Sequence, residues 1–324
     1  LDEAQTIRNP LTRVAAAARG LGARMRVALS GTPIENGVND LWSLEEFLNP
    51  GLLGPQKEFL ARFGRAEAAD ALRRTLAPFM LRRLKTDPRV AKELGVKREI
   101  REYCTLAADQ RRAYEDALAE DAAPWTGESA FARRGRVLAL ITRLKLICNG
   151  ACKFARLDDL LAQIFAAGES ALVFTQYAKT GAAIREHLEE EFGERYPFLH
   201  GGLAPSRREA EIAAFNGSAR PNAFILSLRA GGFGLNLTRA THVIHYDRWW
   251  NPAVENQATD RAHRIGQPRD VFVHLFVAAG TVEDRVDAII ESKRQIAGEV
   301  VVAGESFLLK MSEGDFAKVV ELAP

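Results

Sequence analysis

The sequence predicts an α/β chain built on parallel sheets with helices on both faces, and three observations carry that prediction. From Arg156 onward, short apolar runs alternate with amphipathic helical stretches, the pattern of strands buried on both sides. Gly168 stands as a helix stop directly before one such run, Ala171–Thr175. The composition is that of a globular chain, 47% hydrophobic and 27% charged over 324 residues, enough for about two domains at ~150 residues each.

Taken in order, Leu1-Asp2-Glu3-Ala4-Gln5 reads as the end of a strand with nothing before it, and so as the start of a fragment. Val27-Ala28-Leu29-Ser30 is a short apolar strand running into Gly31-Thr32-Pro33. From Asp40 to Phe79 the pattern is helical, with breaks at Pro50-Gly51 and Gly54-Pro55. Residues 81–102 hold Arg82, Arg83, Lys85, Arg89, Lys92, Lys97, Arg98 and Arg101 among few acids and read as an exposed connector. Residues 109–150 are mostly helical, interrupted near Pro124 and Gly127. The alternating part then predicts helix 157–167, strand Ala171–Thr175, helix 179–192, strand Phe198–His200, helix 205–215 and strand Ala223–Ser227. Strand Val243–Tyr246, a helix near 253–262, strand Val271–Val277 and helix 281–297 complete it. The last twenty residues form a small appended element.

Net charge is +2, so any nucleic-acid surface must be local. Arg133, Arg134, Arg136, Arg143, Lys145, Lys153 and Arg156 lie in a stretch without acids and are one candidate; a solvated helical face is the alternative. Cys104, Cys148 and Cys152 are three cysteines in a chain large enough to need no staples; they read as structural thiols rather than as a zinc site. The six histidines show no metal spacing, and His200 and His263 read as hydrogen-bonding structural residues. No apolar run is long enough to span a membrane, and no secretory signal peptide opens the sequence.

Four segments carry chemistry. Adjacent carboxylates at a strand end, Asp2 and Glu3, suit nucleotide hydrolysis, one for Mg²⁺ and one for the attacking water. Ser30-Gly31-Thr32-Pro33 places small hydroxyl residues where open α/β sheets bind ligands. Ser227–Thr238 follows a strand with glycines that let backbone amides approach an anion, and Arg229 could neutralise a nucleic-acid phosphate. In Gln257–Gln267, Arg261 and Arg264 are three apart and would share a helix face, as a pair meeting the charge of a transferring phosphoryl group.

In this order the segments resemble one family, the Swi/Snf-type DNA-translocating ATPases of helicase superfamily two, in a bacterial-looking form. Asp2-Glu3-Ala4-Gln5 is similar to its second motif, Leu29–Pro33 to its third, and Phe79-Met80-Leu81-Arg82-Arg83-Leu84-Lys85 to its linker signature. Leu172–Tyr177, then His200-Gly201-Gly202 with Arg207 and Phe215, then Ser227–Thr238 resemble the next motifs. Asp247–Glu255, with Trp249-Trp250-Asn251-Pro252, and Gln257–Gln267 resemble the last two. The likeness runs from residue 1 to about residue 300. It departs in lacking a Gly-x-x-x-x-Gly-Lys-[Ser/Thr] phosphate loop, in reading Cys148-Asn149-Gly150-Ala151 where the family has Cys-Asn-His-Pro, and in Ser30 for the usual Thr.

The resemblance implies an incomplete first RecA-like lobe with a helical protrusion (1–80), a linker (81–102), a complete second lobe (103–303) with a helical insert at about 109–150, and a tail (304–324). It implies ATP between the lobes and double-stranded DNA across them. Asp2 would bind Mg²⁺ and Glu3 would position water. Gln257, Gly234, Arg261 and Arg264 would serve ATP; Thr175, Gln176, Ser227, Arg229 and Trp250 would contact DNA, with Trp249 and Trp250 more readily read as packing residues. The expected protein is a monomer in the cytoplasm, on the nucleoid, with DNA and a DNA-bound protein complex as partners and no membrane. The rival readings are a non-catalytic DNA- or partner-binding module and an RNA-directed helicase.

Overall fold

The computed structural model describes residues 1–31, 38–64, 68–81, 83, 85, 94–121, 129–228, 235–249, 252–297 and 311–323. The chain divides into two compact units. One takes in Leu1–Val90 with Ile296–Gly304, the other Ala91–Gln295 with Glu305–Pro324.

Among its described residues the first unit is helical. A 3-10 turn, Ala4–Ile7, precedes α1 (Arg13–Arg19), α2 (Val38–Leu48), α3 (Gln56–Phe63) and α4 (Ala69–Leu76). Thr12 caps α1 by accepting from the Ala15 amide. The expected breaks before α3 are real, and Gly51 (φ 80°) and Gly54 (φ 70°) supply the left-handed backbone they need. Helix α2 serves two cores. Leu44 and Phe47 pack with Ala4, Ile7, Ala15 and Ala18, while Leu41 packs with Phe59, Phe63, Leu72 and Leu76. The strand expected at Val27–Ser30 is irregular and not a strand. It is tied by the Leu29 amide to the Leu1 carbonyl and by the Ala4 amide to the Leu29 carbonyl, 2.8 Å each, and Val27 and Leu29 stay exposed. With the Leu1 amino group donating to the Val27 carbonyl at 2.6 Å, three bonds join the segments without making a ladder.

Among its described residues the second unit is built on a six-stranded parallel sheet. Its strands are β1 (Lys97–Cys104), β2 (Ala171–Thr175), β3 (Phe198–Leu199), β4 (Ala223–Ser227), β5 (His242–His245) and β6 (Val271–Ala278), in the order β1-β6-β5-β2-β4-β3. The connecting helices are α5 (Ala108–Glu120), α6 (Ala130–Cys148), α7 (Ala151–Ala166), α8 (Ala178–Phe192), α9 (Pro205–Gly217), α10 (Pro252–Thr259) and α11 (Val282–Ala297), followed by α12 (Glu313–Val320). Strand side chains alternate between faces. Ala171, Val173, Ala223, Ile225, Ile244 and Phe276 meet α7 and α8 through Leu157, Leu160, Leu161, Ile164, Ile184 and Leu188. Leu172, Phe174, Phe224, Leu226, Val243 and Leu275 meet Phe215 of α9 and Ala258 of α10 on the other face. The expected arrangement, a parallel sheet with helices on both faces, is therefore present.

Two expectations need correction here. Residues 97–102 are not connector but most of β1, paired in register with β6 from Lys97↔Val271 onward. An edge strand exposes most of its side chains, so its charges imitate a linker. The basic stretch 133–156 is not a solvated stripe either. Lys145 and Lys153 are buried, Arg136 pairs with Asp121 at 2.8 Å, Arg156 pairs with Glu102 at 2.8 Å, and Arg143 pairs with Glu120. The C-terminal α12 is part of the core of this unit: Phe316, Val319 and Val320 pack with Tyr114, Val137, Ile141 and Val286.

Candidate functional site

In the first unit, Asp2 and Glu3 sit on a sharp turn. Glu3 adopts φ 48°, ψ 49°, the left-handed region, which costs a non-glycine residue about 1 kcal/mol or more. Its amide donates to Asp2 Oδ1 at 2.9 Å. The Gln5 side-chain amide donates to Glu3 Oε2 and accepts from Ser30 Oγ at 2.8 Å. Gln5 thus links the acidic turn to the hydroxyl of the Ser30-Gly31 segment, leaving Asp2 as an exposed carboxylate. Thr32 and Pro33 lie outside the described residues.

In the second unit the polar residues gather at the carboxyl ends of β2, β4 and β5, the crest where open parallel sheets place ligands. Thr175 and Ser227 are register partners there. Asp247, just past β5, accepts from Thr175 Oγ1 at 2.5 Å, from the Gln176 amide at 2.9 Å and from Asn149 Nδ2 at 3.1 Å. Lys145 Nζ and Gln176 Nε2 both donate to the Arg248 carbonyl. Beneath them Lys153 Nζ reaches Glu283 at 2.7 Å, the Tyr246 carbonyl at 2.8 Å and Asn149 Oδ1 at 3.0 Å. The fully buried Arg248 joins Glu255 and Asp287.

The electrostatics follow from burial. Desolvation raises the Asp247 carboxyl above its ordinary range, opposed by Lys145, Lys153 and the hydrogen bonds from Thr175 and Gln176. Desolvation lowers the Lys145 ammonium. It acts most strongly on Lys153 too, but the charge and hydrogen bond of Glu283 together with Cys148 and Asp247 outweigh it, and the net direction is upward. Burial pushes the Cys104 and Cys148 thiols up to about 12, which leaves them protonated and inert.

The expected site residues fall in different places. Thr175 and Ser227, assigned to DNA backbone, are buried, and the Thr175 hydroxyl is committed to Asp247. Gln176 is a partly exposed polar residue on this crest. Gln257 lies on an exposed part of α10. Arg261 and Arg264 do not share a helix face, because α10 ends at Thr259 and both belong to the turns that follow. Arg261 is buried and Arg264 exposed. Trp249 is half-buried and packs against the α9 and α10 side of the sheet, as a packing residue should. Arg229, Gly234 and Trp250 lie outside the described residues. Asp247, Lys145, Asn149 and Glu283 carry the crest, yet sequence reasoning placed Lys145 only in a basic stretch and Asp247 only at the start of a motif, and gave Asn149 and Glu283 no role. An acid directly after a buried strand was the available signal.

Comparison with known proteins places both halves. The SNF2-related domain model matches residues 1–152 and the helicase conserved C-terminal domain model residues 152–266. The first match carries α5 and α6 with it, although these helices pack into the second unit. YwqA of Bacillus subtilis, named as a candidate ATP-dependent helicase/translocase, is 39% identical over all of this chain and 37% of its own length. The human SWI/SNF-related matrix-associated actin-dependent regulator of chromatin subfamily A member 1 is 33% identical over 94% of this chain and 32% of its own length. The chain thus spans about a third of these relatives. Among solved structures, the Sulfolobus solfataricus SWI2/SNF2 ATPase core in complex with double-stranded DNA matches at TM-score 0.64 and 36% identity, over 100% of this chain and 72% of that one. The C-terminal domain of the same ATPase matches at TM-score 0.61 and 30% identity, over 70% of this chain and 100% of that one.

Proposed function

The chain belongs to the SNF2-related family of helicase superfamily two, and on that premise we propose that it forms part of a motor coupling ATP hydrolysis to movement along duplex DNA. The observation that supports this most is the likeness over the whole chain to an ATPase core solved on double-stranded DNA. The sheet crest adds to it: Gln176 is held by both its amides, one to Asp247 and one to the Arg248 carbonyl, and is half-buried at the strand end.

The residues present fit a magnesium nucleotide. Mg²⁺ keeps most of its waters and the phosphate oxygens, so one or two carboxylates suffice, and Asp2 is an exposed one. Bound there, the ion would neutralise phosphate charge. Glu3 is positioned to orient water, its carboxylate steadied by Gln5 and its backbone held in a strained turn. Arg264, with Arg261 and Gln257, serves charge on the transferring phosphoryl group, and Gly234, from the separate segment Ser227–Thr238, serves the nucleotide as well. Gln176, Arg229 and Trp250 meet the DNA backbone. Thr175 acts indirectly, by fixing Asp247 under Gln176.

Phosphoryl transfer depends on positioning and charge stabilisation. These 324 residues contain no Gly-x-x-x-x-Gly-Lys-[Ser/Thr] loop, so this chain by itself turns over no measurable ATP. The complete gene product does, in a DNA-stimulated way, and Arg264→Ala in it slows turnover at least ~10³-fold. A phosphate-release assay with duplex DNA decides. Turnover by the isolated chain near that of the complete product overturns the first statement, and a complete product indifferent to DNA overturns the motor reading. The second reading is the non-catalytic module; the reading frame upstream of Leu1 separates the two.

A further inference from the structure

The turn after α10 is fastened on two sides. On one side the Leu237 amide donates to the Arg261 carbonyl at 3.1 Å, and Gln267 Nε2 donates to the carbonyls of Thr238 at 2.7 Å and Ala240 at 2.9 Å. On the other side the turn is clipped to Gly95, just before β1. His263 Nε2 meets the Gly95 carbonyl oxygen at 2.7 Å, and the Gly95 amide donates to the Gln267 carbonyl at 3.1 Å. A carbonyl can only accept, so the His263 proton sits on Nε2.

Both peptide groups of Gly95 are therefore spent on one turn, and its α-carbon lies against the same segment. A Cβ added to Gly95 would stand 2.0 Å from the Arg269 carbonyl oxygen and 2.8 Å from the Asp270 nitrogen, both backbone atoms that cannot swing aside. The next residue continues the contact: the Val96 amide donates to Asp270 Oδ1 at 2.9 Å, and its carbonyl accepts from Val271 at 2.9 Å. The end of the connector and the arginine-bearing turn thus form one clasp, with His263 as the side chain that closes it.

We propose that His263 is a positioning residue that locks the chain just before β1, at Gly95, to the turn carrying Arg261 and Arg264, so that this clasp sets where the two guanidiniums stand. The inference rests on the assignment of those arginines to ATP. A buried imidazole spanning two segments is stiff, and a displacement of about 1 Å in a catalytic group costs up to ~10²-fold in rate.

The test uses the complete gene product with duplex DNA and four variants: His263→Ala, His263→Gln, Gly95→Ala and the double change His263→Ala with Gly95→Ala. The glutamine amide reproduces the Nε2 donor. His263→Ala is expected to lower kcat about tenfold or more with KM for ATP and Kd for DNA within about twofold, and His263→Gln to restore kcat to within about threefold. Gly95→Ala is expected to match His263→Ala, and the double change to be no worse than the poorer single one. A His263→Ala enzyme with wild-type kcat, a loss that Gln fails to rescue, or multiplicative losses in the double variant overturns the proposal. If the wild-type product shows no DNA-stimulated turnover, the functional reading fails, and the clasp is judged by amide exchange in this chain. His263→Ala should speed exchange at residues 261–267 about fivefold, with His263→Gln restoring it. Unchanged exchange overturns the clasp itself.

Discussion

Single residues in the sheet unit set its pH behaviour. His245 is fully buried on β5, hydrogen-bonded to Thr259 Oγ1 at 2.9 Å, and burial lowers its pKa to about 4. The unfolded chain binds that proton near pH 6.5 and the folded chain only near 4. Between those values the unfolded state holds more protons, so stability falls as pH falls, and the full contribution is present above pH 6.5. The difference is worth about 3 kcal/mol at most. Urea unfolding should therefore show a clear loss of stability from pH 7 to pH 5, and His245→Gln should flatten that slope. An equal slope in both proteins would sink the assignment. Residue-scale features were the least readable from sequence. Asp247 looked like any acid beside two tryptophans, and its role emerges only when Thr175, Gln176 and Asn149 arrive from β2, its following turn and the C-cap of α6.

At the scale of elements, legibility tracked burial. β2 and β4 were read with their observed limits, because an apolar run buried on both faces has one interpretation. β1 was read as connector because an edge strand keeps its charges in water. The pair at 261 and 264 was placed on a helix because spacing alone does not reveal that α10 stops at Thr259. The tail could not be assigned at all. Its helix α12 is short, yet Ser312 caps it and Phe316, Val319 and Val320 fill a core shared with α5, α6 and α11. The Tyr114 hydroxyl ties it further by donating to the Val320 carbonyl at 2.9 Å. Phe316→Ala should destabilise the second unit by about 3 kcal/mol. Calorimetry or urea unfolding measures it, and a change under about 0.5 kcal/mol, the range of ordinary surface substitutions, would show α12 to be peripheral.

For the whole molecule, the correction to the basic stretch matters most. Its charges are largely consumed internally, by Asp121, Glu120, Glu102 and Glu283, so they lend little field to a nucleic acid. DNA binding should come from a few backbone contacts at the sheet crest. A site engaging about three phosphates loses about 40-fold in affinity between 50 and 200 mM salt. Titrations of duplex DNA against salt check this, and scrambled sequences should bind alike. A Kd indifferent to salt would rule out the crest as a phosphate-binding surface.

The pairing of β1 with β6 has a consequence for how the molecule is made. The contact between Val96 and Asp270 spans 174 residues. At ~5–20 residues per second, the ribosome leaves β1 without its neighbour for roughly 10–35 s. An apolar strand waiting that long would seek another chain's edge. Lys97, Arg98, Glu99, Arg101 and Glu102 keep it hydrated until β6 emerges, and Asp270, Asp287 and His274 then receive these charges one by one. The same residues that disguise the strand as a tether protect the nascent chain from aggregation.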